Sequence, residues 1–396
     1  MNSFITAFGL AWAYLRQRPL STLLNILLLG LGVGTVLALI LILTQAEERL
    51  ERDTAGVDLV IGAKGSPLQL VLSAVFQMDV PTGNVSMADA AAIIKSPQVK
   101  RAVPLALGDS FKAFRIVGTN PDYAELYGAT IDAGRFWATS QEVVIGADVA
   151  RATGLKLGQN FASSHGLVEG GGAHAEHPFT VVGMLKPTGS VADRLILTSV
   201  ESIWEVHEHE GEEAANKEIT AYLIQYSTPL AAAAFPRMVN QSSAMQAASP
   251  AVEMSRLFAL LGIGVTTLKV FAGIMIACAA LGIFIGLTNA LNERRADLAL
   301  LRLLGATPVT VFLTIALQGL ALGLLGVIIG VVLGHVGAGW AGSIIQKTHH
   351  MGLTGWVFFR QEGMVIGAAL VLSVFAGLVP AWRAYRDAVP ETLSDA

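Results

Sequence analysis

Charge is missing from four long stretches of this chain. Residues 19–46, 257–292, 303–346 and 363–382 contain a single Lys, Arg, Asp or Glu among them, Lys269. A bilayer core of about 30 Å needs about 20 apolar residues as helix, and residues 20–43, 270–291, 309–334 and 363–382 each meet that requirement. Only 14% of the 396 residues are charged, against about a quarter in a soluble domain, so the shortfall is gathered into lipid-facing runs. The chain is expected to be an integral membrane protein, and a single soluble enzyme is excluded. The first run exceeds the roughly 7–15 residues of a signal-peptide core. It ends in Thr44-Gln45-Ala46-Glu47 without a small-x-small cleavage site and reads as a retained helix.

Arginines next to the spans set the expected orientation, because short basic flanks stay in the cytoplasm. Arg16 and Arg18 precede the first span, Arg294, Arg295 and Arg302 lie between the second and third, and Arg383 and Arg386 follow the fourth. The long segment 45–256 is net negative while the remainder is net positive. Both ends are therefore expected inside and the large segment outside. Before the first span, Phe4, Phe8, Ala11, Trp12 and Leu15 recur at helical spacing with interfacial aromatics, which predicts a helix lying at the membrane surface. The apolar residues from Leu257 onward extend the second span into a helix long enough to leave the bilayer as a stalk.

Between residues 56 and 235 short β-rich runs alternate with helical ones. Residues 58–62, 111–118, 142–146, 179–185 and 219–226 read as strands, and 89–95 and 148–154 as short helices, the first capped by Ser86. The insertion is expected to be an α+β domain. Gly62-Ala-Lys-Gly-Ser66 lacks the spacing of a phosphate loop and reads as a tight surface turn. No nucleophile elbow, zinc-protease helix or calcium loop occurs. The single cysteine, Cys278, rules out an internal disulfide or a cysteine-based metal cluster. Five of eight histidines fall within a short stretch: His165, His174 and His177 around a triple-glycine loop, then His207 and His209 among glutamates. Imidazoles beside carboxylates suit loose binding of Zn, Cu or Ni. A solvated histidine-rich loop has the same composition, and no fixed ligand spacing separates the two. His349 and His350 lie in the other external loop.

Lys269 is positioned to snorkel at the end of its span, so the spans offer no polar relay. Gly30 and Gly34, Gly282 and Gly286, Gly319 and Gly323, and Gly326, Gly330 and Gly334 each form small-residue ridges suited to close helix packing. Four spans are few for a self-sufficient transporter, which points to a homodimer. Between the second and third spans, a helix over 292–304 gathers Leu298, Leu301 and Leu304, surrounds them with Glu293, Arg294, Asp297 and Arg302, and stops at Gly305 and Pro308. It suits either the lipid interface or the grip of a cytoplasmic protein.

The run Glu293-Arg294-Arg295, Asp297, Leu300-Leu301-Arg302, Leu304-Gly305-Ala306 resembles the coupling segment of the FtsX-like, MacB-type ABC transporter permeases, which include lipoprotein-releasing and macrolide-exporter subunits. The tail from Pro380 to Leu393 is similar to their closing pattern, and residues 142–150, 154–158 and 179–183 follow their periplasmic domain. Asp297 and Ala299 stand where the family often has Glu and Gly.

The resemblance implies a non-catalytic, multi-pass inner-membrane subunit with cytoplasmic termini and four transmembrane helices, the α+β periplasmic domain inserted between helices 1 and 2. Its expected parts are an interfacial helix over 1–19, spans over 20–44, 257–291 (with the stalk), 309–334 and 363–382, the periplasmic domain over 45–256, a coupling helix over 292–308, a periplasmic loop over 335–362 and a cytoplasmic tail over 383–396. Glu293, Arg294, Arg295, Asp297, Leu301, Arg302 and Gly305 would contact a cytoplasmic ABC ATPase dimer. That partner would bind ATP and Mg, since this chain has no Walker motif. Further implied partners are membrane lipid, a second permease copy and a periplasmic or outer-membrane protein, with no nucleic acid. The expected activity is transmission of ATP-driven motion for lipoprotein release or export of an amphiphile. The rival reading is a signalling or metal-sensing receptor, or a regulator of a periplasmic hydrolase.

Overall fold

The computed structural model describes residues 3–165, 173–207, 217–293, 305–349 and 352–386 together with Leu300 and Leu303, with backbone alone at 3, 165, 173–177, 207 and 347–349. The chain divides into two compact units, Glu47–Leu260 and Met1–Ala46 with Leu261–Ala396. The order begins with α1 (Ser3–Gln17), α2 (Pro19–Thr54), β1 (Leu59–Ala63), α3 (Pro67–Ala74), β2 (Val85–Ser86), α4 (Met87–Ile94), β3 (Val99–Phe111) and β4 (Phe114–Thr119). It continues through α5 (Asp122–Leu126), β5 (Ile131–Gly134), β6 (Glu142–Ile145), α6 (Ala147–Thr153), β7 (Asn160–His165), β8 (Ala173–Leu185), β9 (Leu195–Ser199) and α7 (Val200–His207). The last elements are β10 (Glu218–Ile219), β11 (Ala221–Tyr226), α8 (Ala231–Ser242), β12 (Met245–Ala248), α9 (Pro250–Glu293), α10 (Pro308–His349) and α11 (Arg360–Arg386).

The unit Glu47–Leu260 is built on one ten-stranded sheet ordered β12-β1-β11-β3-β4-β9-β6-β8-β5, with β7 bridging β3 and β8. The pairs β4–β9 and β6–β8 are parallel, and the other pairs in the sheet are antiparallel. Successive residues alternate faces, yet both faces are apolar. Leu59 and Ile61, Ile196, and Tyr222 and Ile224 join one core with Ala90, Ile203, Phe235 and Val239 of α4, α7 and α8. Val60, Leu195 and Leu197, and Ala221 and Leu223 join another with Leu70, Val71, Tyr123 and Ala124 of α3 and α5. Helices covering both faces explain why these strands read as unbroken apolar runs rather than as polar–apolar alternation. Leu50 of α2, and Met254, Leu257 and Phe258 of α9, pack into the second core.

Three expectations are revised here. Residues 111–118 are not one strand: β3 ends at Phe111 and β4 begins at Phe114, joined by Lys112 and Ala113 with φ of 47° and 65°. Two positive φ angles make the turn that matches strand twist, and Lys-Ala carries no Asn or Gly to announce it. Gly62 and Ala63 belong to β1, and the Ser66 side chain caps α3, so the expected surface turn shrinks to Lys64 and Gly65. The expected external loop 335–362 is helical as far as His349, since no Pro interrupts the run.

Four helices are long and apolar enough to cross a membrane, Pro19–Thr54, Pro250–Glu293, Pro308–Gln346 and Arg360–Arg386. At 1.5 Å per residue α2 and α9 extend about 54 and 66 Å, well beyond a bilayer core. Arg18 separates α1 from α2, and Pro19 opens the second helix, a position where its missing N–H has no partner to lose. On α1, Ala7, Ala11 and Leu15 are buried while Phe4, Phe8 and Trp12 are exposed. The helix therefore presents aromatic rings along its outer side.

Candidate functional site

The expected coupling segment is only partly within the described residues. Arg294, Arg295, Asp297, Leu301 and Arg302 lie outside them. Glu293, the last residue of α9, forms an ion pair with Arg18 at the start of α2. Gly305 takes φ of 101°, a conformation that side-chain-bearing residues rarely adopt. The Thr307 hydroxyl then accepts the Thr310 N–H at 3.3 Å, and Pro308 supplies the first turn of α10.

The glycine ridges meet one another within the bundle. A Cβ on Gly30 would lie 2.9 Å from Ile329 Cγ2, one on Gly34 3.0 Å from the Gly330 carbonyl, and one on Gly330 2.7 Å from Val33 Cβ. Helices α2 and α10 therefore touch backbone to backbone. Gly319 faces Gly377 of α11 and Gly323 faces Ser373, at separations that leave no room for a side chain. Asn25 of α2 lies over Gly282 of α9. This apposition is the packing that small-x-x-x-small ridges permit in lipid.

At the far end of the bundle is a polar cluster that reading the spans for Lys, Arg, Asp and Glu alone overlooks. His335 Nε2 lies 2.9 Å from Glu362 Oε2, and its Nδ1 lies 2.5 Å from the Gly355 carbonyl. The second Glu362 oxygen accepts the Phe359 N–H at 2.7 Å, closing the first turn of α11. Glu362 is only 2% exposed. Gln45 of α2 donates to the Thr354 carbonyl at 2.9 Å and accepts the Thr354 N–H at 3.0 Å. The segment 352–359 is thus tied to three helices. A histidine inside an otherwise uncharged apolar run, with a glutamate at the edge of the next run, is the signal that would have found it.

In the sheet unit, Asp53 in the last turn of α2 is 1% exposed and accepts a hydrogen bond from Arg194 at 2.8 Å. Arg194 also donates to the Phe76 carbonyl at 3.3 Å, and the Tyr127 hydroxyl donates to the Asp53 carbonyl at 3.1 Å. Asp193, beside it, accepts the Thr188 and Gly189 N–H groups, and Arg52 Nε donates to the Gly189 carbonyl at 3.2 Å. Burial pushes the Arg115 guanidinium down to about 10, while Arg135, with the Ala138 and Thr139 N–H groups, holds the Glu142 carboxyl at about 2. The side chains of His165, His174, His177 and His207, and all of His209, lie outside the described residues. Among the described residues no three His, Cys, Asp or Glu side chains come together in a metal-binding arrangement.

Residues 22–241 match the MacB-like periplasmic core domain, and residues 269–389 match the FtsX-like permease C-terminal domain. The lipoprotein-releasing system transmembrane protein LolC of Xylella fastidiosa is 28% identical over 36% of this chain and 38% of its own. An uncharacterized ABC transporter permease of Mycobacterium tuberculosis is 23% identical over 97% of this chain and 44% of its own, so this chain spans less than half the length of these relatives. The periplasmic region of MacB from Actinobacillus actinomycetemcomitans aligns with a TM-score of 0.36 at 10% identity, over 52% of this chain and 95% of that structure. The two domain matches lie in the family's order and together cover most of the sequence, and the chain belongs to the FtsX-like, MacB-type family of ABC transporter permeases.

Proposed function

We propose that this chain is the membrane subunit of an ABC transporter that carries movement from a separate cytoplasmic ATPase to the α+β domain, there to release a lipoprotein or move another amphiphile. The observation that carries this reading is α9. It is one unbroken helix whose first turns include Met254 in the sheet-unit core and whose last residue, Glu293, begins the segment resembling the family's coupling motif. A continuous helix transmits displacement along its axis because every turn is hydrogen-bonded to the next. Lipoprotein release is suggested by the similarity to the lipoprotein-releasing system protein of Xylella fastidiosa. Orientation with both termini cytoplasmic follows the arginine distribution, and a homodimer would supply eight spans.

The test is purification of the chain from its native membrane and detection of a co-purifying ABC ATPase. The chain alone should hydrolyse no ATP and the complex should. Arg302→Glu combined with Asp297→Lys should release the ATPase while leaving membrane insertion intact. Robust turnover by the isolated chain, or unchanged co-purification of the double variant, would overturn the assignment.

A further inference from the structure

Polar side chains within a bilayer need partners, because no water reaches them there. A shallow groove, open along one side, lies between α1, α2, α9 and α10 and is lined by Arg18, Thr22, Asn25, Leu287, Gln318 and Leu322. Two of its polar groups are already matched. The Thr22 hydroxyl donates to the Leu15 carbonyl at 3.1 Å, and Arg18 pairs with Glu293. Gln318 is different. It is only 6% exposed, it faces this groove and the adjoining hollow beside Tyr14 and Leu291, and it makes no hydrogen bond to any described residue. Asn25, across the groove, also makes none. Two amides carrying N–H donors thus converge beside leucines, near the end of the bundle where α1 exposes Phe4, Phe8 and Trp12.

We propose that this groove is a binding site for a glycerophospholipid of the leaflet beside α1. The ester or phosphate oxygens would accept the Gln318 and Asn25 N–H groups, and an acyl chain would lie along Leu287 and Leu322. The ligand must join strong acceptors to a long apolar chain, and a glycerolipid does so at the depth where the groove opens. A helix from a second copy fits less well, since its backbone carbonyls are already committed to its own hydrogen bonds. The site does not depend on ATPase coupling, so the two readings stand or fall separately.

The test uses the full chain in vesicles of phosphatidylethanolamine and phosphatidylglycerol, with a trace of phosphatidylethanolamine bearing a photoreactive diazirine on one acyl chain. After illumination, label should map to the peptides containing Leu287 and Leu322. Gln318→Leu with Asn25→Leu should lower that labelling by about tenfold, as expected for losing hydrogen bonds to a charged or ester acceptor in lipid. A steric variant guards against misfolding. A Cβ at Gly286 would meet only Asn25 Nδ2, at 3.8 Å, so Gly286→Ala should bind normally while Gly286→Leu fills the groove and excludes the lipid. Labelling near Phe8 and Trp12 should stay constant throughout. Labelling at Leu287 and Leu322 that ignores all these substitutions would overturn the proposal. So would rapid disulfide formation between copies carrying Ser21→Cys and Cys278→Ala, which would seat a second chain in the groove.

Discussion

Removing one partner of the Asp53–Arg194 pair should destabilise the sheet unit far more than removing both. At 2.8 Å and an effective dielectric near 20, the mutual attraction is about 6 kcal/mol. Withdrawing both ions from water costs several kcal/mol each, so the intact pair comes close to break-even. The balance changes in Asp53→Asn. Arg194, 8% exposed, would keep neutral acceptors, the new amide oxygen at position 53 and the Phe76 carbonyl at 3.3 Å, but no countercharge in the pair, and an uncompensated buried charge costs about 3–5 kcal/mol. Asp53→Val with Arg194→Met, closer in volume and without charge, should recover most of that loss. The assay is urea titration of the full-length protein in detergent with brief proteolysis, following fragments of Glu47–Leu260. Wild type, Asp53→Val, Arg194→Met and their double variant complete the double-mutant cycle, with Asp53→Asn measured beside them. If Asp53→Asn costs under about 1 kcal/mol, as an exposed pair would, or if the double variant is no better than the single one, the reasoning is refuted.

Gly330→Leu should lower the thermal midpoint of the purified protein, because its Cβ would lie 2.7 Å from Val33 Cβ and overpacking costs about 1–3 kcal/mol. Gly273→Ala, with nothing within 4 Å, should melt as wild type. Glu362→Ala removes the bonds to His335 and Phe359 and should speed hydrogen exchange across 354–359 by about tenfold, the effect of losing one or two net hydrogen bonds. For Glu142 the sign follows from its carboxyl being lowered from 4.5 to about 2 in the fold. Its stabilising contribution is full above pH ~4.5 and is lost as pH falls toward 2. Urea midpoints measured over that range should fall less steeply for Glu142→Gln than for wild type.

The membrane character, the four spans and the α+β class were legible because each rests on local information. An uncharged run of sufficient length must be buried in lipid or protein whatever surrounds it. Small residues four apart announce a close-packing helix without naming its neighbour, and the fold supplied the pairing of Gly30 and Gly34 with Gly330 and Gly334. The hairpin at Lys112 and Ala113 escaped notice because its turn is imposed by the pairing of β3 with β4 rather than by turn-forming residues. The continuation of α2 to Thr54 has a similar cause: beyond the apolar run, Leu50 and Asp53 are held by the sheet unit.

The polar contacts were decided only by tertiary structure. Asp53 meets Arg194 across 141 residues, and Gln45 meets Thr354 across 309. His335 meets Glu362 across a connection whose register no periodicity reveals. Composition reports how many charges a chain carries. Which of them are buried, and against what, depends on chain reversals and strand order that bring distant residues within hydrogen-bonding distance, and there the cost of an unmatched polar group selects the partner.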